Sequence, residues 1–250
     1  MAFDLSSVAL TSAHKNHIIV VYGGIGVGKT TFAVSAPRAI LLRTEDGTGN
    51  LTVPSFPIAQ SLSEVIEALD SLQGEHEFKT VVIDSLDHLE PLIWAEVCRK
   101  YDVDNIEKAG GGYGKGYNFA LDEWRVIFDK LANLRESGMH VVLVAHSQYK
   151  KHQNPELDDV DRAEIKLQKL AGALCLEKAD AVLYAKHDFI KTKETVGFGN
   201  AKTKARSTGE RILCTIENTA FAAKNRFNLP AQLPLSWKAL DEAINHKGDK

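Results

Sequence analysis

Eight consecutive residues, Gly23 to Thr30, combine glycines with a lysine and a threonine in a spacing suited to binding phosphate groups. They read Gly-Gly-Ile-Gly-Val-Gly-Lys-Thr and fit the pattern G-x-x-x-x-G-K-[ST]. The glycines permit a tight turn in which several backbone N–H groups converge on one phosphate. The lysine can reach the terminal phosphates of a nucleoside triphosphate, and the threonine hydroxyl can bind Mg²⁺. The sequence therefore predicts a site for ATP and Mg²⁺ formed by Gly23, Gly24, Ile25, Gly26, Val27, Gly28, Lys29, Thr30 and Thr31.

The segments on either side of this loop predict the strand and helix that such a site needs. Residues 17–22 are apolar and β-branched, which favours a buried strand. Residues 31–36 favour a short helix that ends before Pro37. The loop would then join a buried strand to a helix, which is the structural context of a phosphate-binding loop, or P-loop.

A second buried strand is predicted at residues 79–83, and a carboxylate, Asp84, follows it directly. An apolar run ending in aspartate is common by itself. Together with a P-loop it matches the Walker B pattern, in which the carboxylate helps to hold Mg²⁺. We therefore expect Asp84 and Thr30 to share the Mg²⁺ site.

Another carboxylate follows the strand predicted at residues 39–43. Ligands of open α/β sheets bind at the carboxyl ends of the strands, so Glu45 is placed to polarise the water that attacks the γ-phosphate. Asp46 is the competing candidate. Glu-Asp-Gly is also an ordinary turn sequence, so a purely structural role stays open.

Polar residues also follow the strand predicted at residues 139–145. Either His146 or Gln148 could sense loss of the γ-phosphate from the far side of the site. The alternative is that these side chains bond to a neighbouring loop.

Two segments are predicted to be mobile loops that bind nucleic acid. Residues 102–117 contain five glycines within seven residues, which we expect to keep the segment out of the core. Its aromatic rings and cation could stack on single-stranded nucleic acid, or the tyrosines could pack back on the domain. The second segment, residues 149–162, is polar and mixed in charge. The candidate contacts in the two loops are Tyr113, Lys115, Tyr117, Lys150 and Lys151.

Residues 186–211 carry seven lysines and arginines against three acids, with glycines among them. This composition predicts a basic, flexible hairpin or insertion that could contact a phosphate backbone through Lys202, Lys204 and Arg206. A solvated run of charges is the alternative.

Composition and length favour one large α/β domain. The chain has 250 residues, of which 44% are hydrophobic and 25% charged. It has no run of about 18 apolar residues that would span a membrane, and no secretory signal pattern. We therefore expect a cytoplasmic protein without membrane contact. The net charge of −3 means that nucleic-acid binding must come from local basic patches.

The remaining patterns complete the predicted domain, which spans residues 1–250 and begins with an irregular arm, residues 1–16. Cys98, Cys175 and Cys214 are expected to be buried, reduced thiols. Residues 211–216 and 220–223 alternate like a C-terminal β-hairpin, and residues 179–185 favour a strand. Helical periodicity is found at 62–72, 86–101, 119–137, 163–178 and 236–245.

The order of these parts resembles the RecA-like P-loop NTPase core, a mainly parallel twisted sheet flanked by helices. More narrowly, the chain resembles the phage-encoded, core-only RecA-like ATPases of the Sak-type single-strand annealing and recombination group. No separate N-terminal polymerising domain or C-terminal domain like those of full-length RecA is recognisable. The resemblance covers about Ile18 to Trp237, and its most specific segments are 23–30, 44–51, 82–86, 114–117, 144–148 and 223–227.

The resemblance implies roles for individual positions. Glu45 matches the carboxylate that activates water, and Lys29 the catalytic P-loop lysine. His146 falls where related proteins carry a γ-phosphate-sensing residue, usually glutamine. Residues 102–117 and 148–163 match the two DNA-binding loops. Lys224 and Arg226 match the basic pair that reaches the phosphates of a neighbouring subunit.

The function implied is ATP-dependent binding of single-stranded DNA in phage recombination, in the host cytoplasm. The implied partners are single-stranded DNA, further copies of the chain in a ring or filament, and a single-strand-binding protein. Two alternatives share these motifs: a hexameric helicase or translocase, and a nucleotide-dependent regulatory switch.

Overall fold

The structure is a computed structural model that describes residues 16–47, 49–152, 159–196 and 200–245, with backbone alone over 191–196 and 200–205. The predicted N-terminal arm, apart from Asn16, lies outside the described residues. Within these ranges the chain forms the strands β1 (Ile18–Gly23), β2 (Ala39–Arg43), β3 (Ser55–Ile58), β4 (Thr80–Asp84), β5 (His140–His152), β6 (Val160–Ile165), β7 (Ala181–Val196), β8 (Asn200–Cys214), β9 (Lys224–Asn225) and β10 (Gln232–Pro234). The helices are α1 (Lys29–Val34), α2 (Leu62–Ser71), α3 (Leu86–Tyr101), α4 (Lys115–Glu136), α5 (Lys169–Lys178) and α6 (Trp237–Asn245). None of the helices in this part of the chain is long and apolar enough to cross a membrane.

One sheet organises the domain, in the order β10-β8-β7-β1-β5-β4-β2-β3. The six strands from β7 to β3 run parallel, and β8 and β10 extend the sheet with antiparallel pairing. The predicted mainly parallel sheet is therefore confirmed. The P-loop strand β1 lies near its centre, between β5 and β7.

Helices cover both faces of the sheet, which explains why its central strands read as continuous apolar runs. Along β1, Ile18, Val20 and Tyr22 pack on the face covered by α2, α3, α4 and α5. The alternate residues Ile19 and Val21 pack on the other face, against α1 and α6. Every residue of β1 is buried, so the strand that leads into the P-loop is held from both sides.

The segment predicted as a glycine-rich loop outside the core is partly built into it, and that prediction is wrong for Ile106, Ala109 and Gly116, which are buried. A 3₁₀ turn runs from Ile106 to Gly111, with Ile106 and Ala109 buried, and α4 begins already at Lys115. Gly116 faces the carbonyl oxygen of Ile106 so closely that a Cβ would lie 1.9 Å from it. This glycine permits close packing rather than preventing it.

The prediction of a mobile loop over 149–162 is wrong at both ends, because β5 continues to His152 and pairs antiparallel with β6. Residues 153–158 lie outside the described residues. The helix predicted from Ala163 begins only at Lys169, since β6 extends to Ile165. Ala163 and Ile165 are buried and alternate with more exposed neighbours, and this two-residue period was hidden by the mixed charges.

The predicted basic hairpin is present as β7 and β8, which pair antiparallel from Tyr184–Cys214 to Val196–Asn200. The second predicted hairpin is wrong. Residues 212–214 pair with β7 and β10 rather than with 220–223, and the turn near Glu217 is closed by a single bridge between Asn218 and Phe221.

Candidate nucleotide-binding site

The carboxyl ends of the central strands bring the predicted site residues to one edge of the sheet. In the strand register, Gly23 lies opposite His146, and Asp84 lies opposite both Val144 and Arg43. Glu45 follows two residues after the end of β2. A cavity of about 410 Å³ opens at this edge and is lined by Ile25, Gly26, Gly28, Lys29, Thr30, Thr31, Glu45, Gly47, Leu51, Asp84, His146 and Arg211.

The P-loop has a backbone geometry that its glycines make possible. Gly26 and Gly28 have φ values of 74° and 101°, in the left-handed region that side chains disfavour. The Lys29 ammonium donates to the carbonyl oxygens of Gly23 and Gly24 at 3.1 and 2.9 Å. Burial lowers the pKa of Lys29, while the negative charge of Asp84 opposes that shift. The Lys29 ammonium is thus held inside the loop by uncharged carbonyl oxygens, which phosphate oxygens can replace.

Thr30 and Asp84 lie side by side, as predicted for a Mg²⁺ site. The Thr30 hydroxyl donates to Asp84 Oδ2 at 2.6 Å. Burial raises the pKa of Asp84, and the Thr30 hydrogen bond acts in the opposite direction. A buried carboxylate beside a hydroxyl, next to a phosphate-binding loop, offers the oxygen ligands that Mg²⁺ prefers. The donor set therefore fits the ion.

Glu45 lines the cavity, whereas Asp46 is exposed and does not. The Ser85 hydroxyl donates to Glu45 Oε1 at 2.6 Å, and His88 Nδ1 lies 3.2 Å from the same oxygen. This contact fixes the carboxylate through one oxygen and leaves Oε2 for other partners. The sequence did not reveal Ser85 and His88 as neighbours of Glu45, because they come from the start of α3.

His146 lies between the P-loop and Asp84, and Asp87 holds its ring. The Asp87 carboxylate lies 2.9 Å from His146 Nδ1 and accepts the His146 backbone N–H at 2.9 Å. Burial opposes ionisation of Asp87, but the two hydrogen bonds from His146 outweigh it and keep the pKa of Asp87 below its usual range. Gln148 instead donates to the carbonyl oxygens of Ile165 and Leu167. Of the two sensing candidates, only His146 faces the cavity.

Arg211 lines the same cavity and was not predicted as a site residue. It lies on β8, and its guanidinium donates to the Val27 carbonyl oxygen at 3.4 Å. In the sequence it is only the last cation of the basic stretch. Its position depends on β8 pairing with β7, which in turn lies beside the P-loop strand, and no local pattern encodes that.

Lys224 and Arg226 lie at the opposite edge of the sheet from the P-loop of their own chain. Lys224 Nζ donates to the carbonyl oxygens of Leu176 and Glu177, at the end of α5. Arg226 pairs with Asp180, which precedes β7 and also accepts the backbone N–H of Ile18. Both cations thus have partners within the chain, and their predicted contact with a neighbouring subunit stays a prediction.

The candidate DNA contacts are placed differently from one another. Tyr113 is fully exposed, but Tyr117 packs edge-on against Trp94 at 5.7 Å, the alternative considered for the tyrosines. Lys115, Lys150, Lys151 and Arg206 are exposed. The side chains of Lys202 and Lys204 lie outside the described residues.

Comparison with known proteins agrees with the nucleotide-binding geometry. A family model described as an AAA domain matches residues 15–227. The chain belongs to this AAA-domain family. AAA domains are P-loop ATPases, so the superfamily predicted from the P-loop is confirmed.

One curated relative of the AAA domain is the SPbeta prophage-derived uncharacterized protein YorG of Bacillus subtilis (strain 168). It is 23% identical over 192 residues, which make up 74% of this chain and 56% of the relative. The chain therefore spans little more than half the length of that relative. The narrower resemblance to the Sak-type recombination group stays a prediction.

Proposed function

We propose that this AAA domain binds and hydrolyses ATP with Mg²⁺, binds single-stranded DNA, and acts in phage homologous recombination by single-strand annealing. The observation that carries the proposal is the cavity at the carboxyl edge of the sheet. There the P-loop lysine, a threonine–aspartate pair and a separate carboxylate meet beside two strands that continue past the edge as hairpins.

The P-loop residues bind the triphosphate in this proposal. Lys29 exchanges its hydrogen bonds to the Gly23 and Gly24 carbonyl oxygens for hydrogen bonds to phosphate oxygens. Thr30 and Asp84 would hold Mg²⁺, which would neutralise part of the charge that develops on the phosphate oxygens. Arg211, on the other side of the loop, adds a second fixed positive charge in the same cavity.

Glu45 is the residue that activates water. Ser85 holds Oε1 at 2.6 Å, so Oε2 is the oxygen that accepts a proton from the attacking water. The exposure of Asp46, outside the cavity, favours Glu45 over it.

His146 connects the nucleotide to the DNA-binding surface. Asp87 fixes its ring at the edge of the cavity, and β5 continues from His146 into the hairpin with β6. A change in the contacts of His146 when the γ-phosphate leaves would therefore act directly on that hairpin.

The two hairpins that extend beyond the sheet edge carry the features that single-stranded DNA requires. Tyr149 on β5 and Phe189 on β7 are 67% and 53% exposed, and base stacking on such rings is tolerant of sequence. Lys150, Lys151 and Arg206 supply exposed positive charges on the same hairpins. These features support a DNA-binding surface formed by β5–β6 and β7–β8.

We also propose that the AAA domain assembles into a ring or filament of identical copies. Arg226 is half-exposed beside Asp180, so it can leave that partner for the phosphates of a neighbouring copy. A cation supplied across an interface would make nucleotide binding and assembly depend on each other.

The DNA-binding surface is tested by replacing Lys202, Lys204 and Arg206 together with alanine and measuring affinity for a single-stranded oligonucleotide by fluorescence anisotropy across a salt series. Loss of three phosphate contacts reduces the slope of log K against log salt by about 2. A matched control replaces Lys79, Arg125 and Lys238, which removes the same charge from other surfaces. Equal effects of the two triple variants, or none, would contradict the hairpin assignment.

A further inference from the structure

Three metal-ligand side chains converge at the nucleotide cavity, and two of them, Glu45 and His146, line it together with Thr30 and Asp84. Glu45, His88 and His146 each offer one ligand atom, and these atoms all lie within 4.8 Å of one another. His88 Nδ1 lies 3.2 Å from Glu45 Oε1. Two ligands of a tetrahedral zinc ion, each about 2.0–2.2 Å from the metal, are about 3.3–3.6 Å apart. The Glu45–His88 pair therefore already has nearly the spacing of two ligands of one metal ion.

Asp87, which is not one of the three ligands, orients His146 of this cluster. Asp87 engages His146 through Nδ1 at 2.9 Å, which leaves Nε2 as the nitrogen for a metal ion. A carboxylate bound to the second nitrogen of a ligating histidine is the usual arrangement around zinc, because it fixes both tautomer and ring orientation.

The chemistry of the cluster differs from that of the Mg²⁺ pair. Two imidazoles and one carboxylate select divalent transition-metal ions, whereas Mg²⁺ prefers oxygen ligands alone. The side chains of Glu45, His88 and His146 are 22%, 44% and 21% exposed, so an ion can reach them from solvent.

We propose that Glu45, His88 and His146 form a binding site for a divalent transition-metal ion of the zinc type, and that its occupancy inhibits ATP hydrolysis. The ion replaces the Ser85 hydroxyl as the partner of Glu45 Oε1 and His88 Nδ1. It also occupies the carboxylate that would otherwise accept a proton from water. The inhibition rests on the proposed role of Glu45, but the metal binding does not.

Metal binding is tested without nucleotide, on the full chain freed of metal. Co²⁺ is titrated while the visible absorption bands of the ion are recorded, and Zn²⁺ affinity is measured by competition with a chromogenic chelator. We expect one ion per chain, and an affinity at least about tenfold weaker in His88→Gln, His146→Gln and Asp87→Asn. The exposed His76 serves as control, and His76→Gln keeps wild-type affinity. Affinity unaffected by all three replacements would overturn the site.

Inhibition is tested separately, by comparing ATP hydrolysis with and without Zn²⁺ at a fixed excess of Mg²⁺. We expect Zn²⁺ to slow the wild type and the His76→Gln control, and to have at least about tenfold less effect on His88→Gln. If Zn²⁺ binds at the cluster without slowing hydrolysis, the inhibitory role is wrong. If the protein hydrolyses no ATP, the proposed function fails while the Co²⁺ titration still decides the metal site. Thermal unfolding of each variant confirms that it is folded.

Discussion

At the scale of single residues, the site is a set of charged groups that the chain holds ready by hydrogen bonds. Lys29 is held by P-loop carbonyl oxygens, Asp84 by Thr30, and Glu45 by Ser85. The P-loop and Asp84 could be identified from the sequence because their spacing is a local pattern. Asp87, His88 and Arg211 could not, since their roles arise only where strands and helices meet.

Replacing Glu45 with glutamine tests its proposed role in water activation. Glutamine keeps the size and the contact with Ser85 but cannot accept the proton, so we expect hydrolysis to fall about 100-fold or more. Nucleotide affinity, measured with a fluorescent ATP analogue, should change little. Asp46→Asn is the matched control, and a larger loss there would identify Asp46 as the base instead.

Arg211→Gln tests the cation that the sequence did not reveal. Removing a charged donor from the cavity should weaken ATP binding by about 10- to 100-fold, because such bonds contribute about 1.5–3 kcal/mol. Arg206→Gln on the same strand removes the same charge from a position that does not line the cavity. Binding is measured without DNA by calorimetry, and equal affinities for the two variants would show that Arg211 does not contact nucleotide.

At the scale of elements, the sheet explains how distant segments form one site. The apolar runs of β1, β2 and β4 were predicted within a residue or two, because strands buried on both faces leave a strong pattern. The β5–β6 hairpin was not, since its exposed residues are charged and only alternate positions are buried. Two residues of α3 join that helix to its neighbours. Asp87 bonds to His146 on β5, and Glu90 bonds to Gln168 at the start of α5.

Glu90 makes the junction of α3 and α5 sensitive to pH. Its carboxylate accepts the backbone N–H of Gln168, and burial raises the pKa of Glu90 to about 7. The folded protein therefore keeps this proton up to about pH 7, whereas the unfolded chain releases it near pH 4.5. The contribution of Glu90 to the free energy of unfolding is fully present below about pH 4.5. It is lost as the pH rises to about 7.

The Glu90→Gln replacement, which cannot ionise, should therefore be more stable than the wild type at pH 8, by roughly 3 kcal/mol. At pH 5 the difference should shrink to about 1 kcal/mol or less. Urea unfolding at both pH values measures the difference, with the exposed Glu67→Gln as control. A stability difference that does not change with pH would contradict the assignment.

At the scale of the whole molecule, the nucleotide cavity and the two long hairpins share one edge of the sheet. The mainly parallel fold could be predicted from the sequence, because strand and helix patterns alternate along the chain. The continuation of β5 and β7 past that edge could not, since charged, solvent-exposed strands lack an apolar signal. This shared edge is the physical reason to expect that DNA binding and ATP hydrolysis influence each other.

The rate of ATP hydrolysis with and without single-stranded DNA tests that coupling most directly, with Lys29→Ala as the blank and duplex DNA of the same sequence as control. We predict several-fold faster hydrolysis with the single strand, little change with the duplex, and no activity above background in the blank. Equal rates with and without the single strand would contradict the account, because the hairpins would then not act on the nucleotide site.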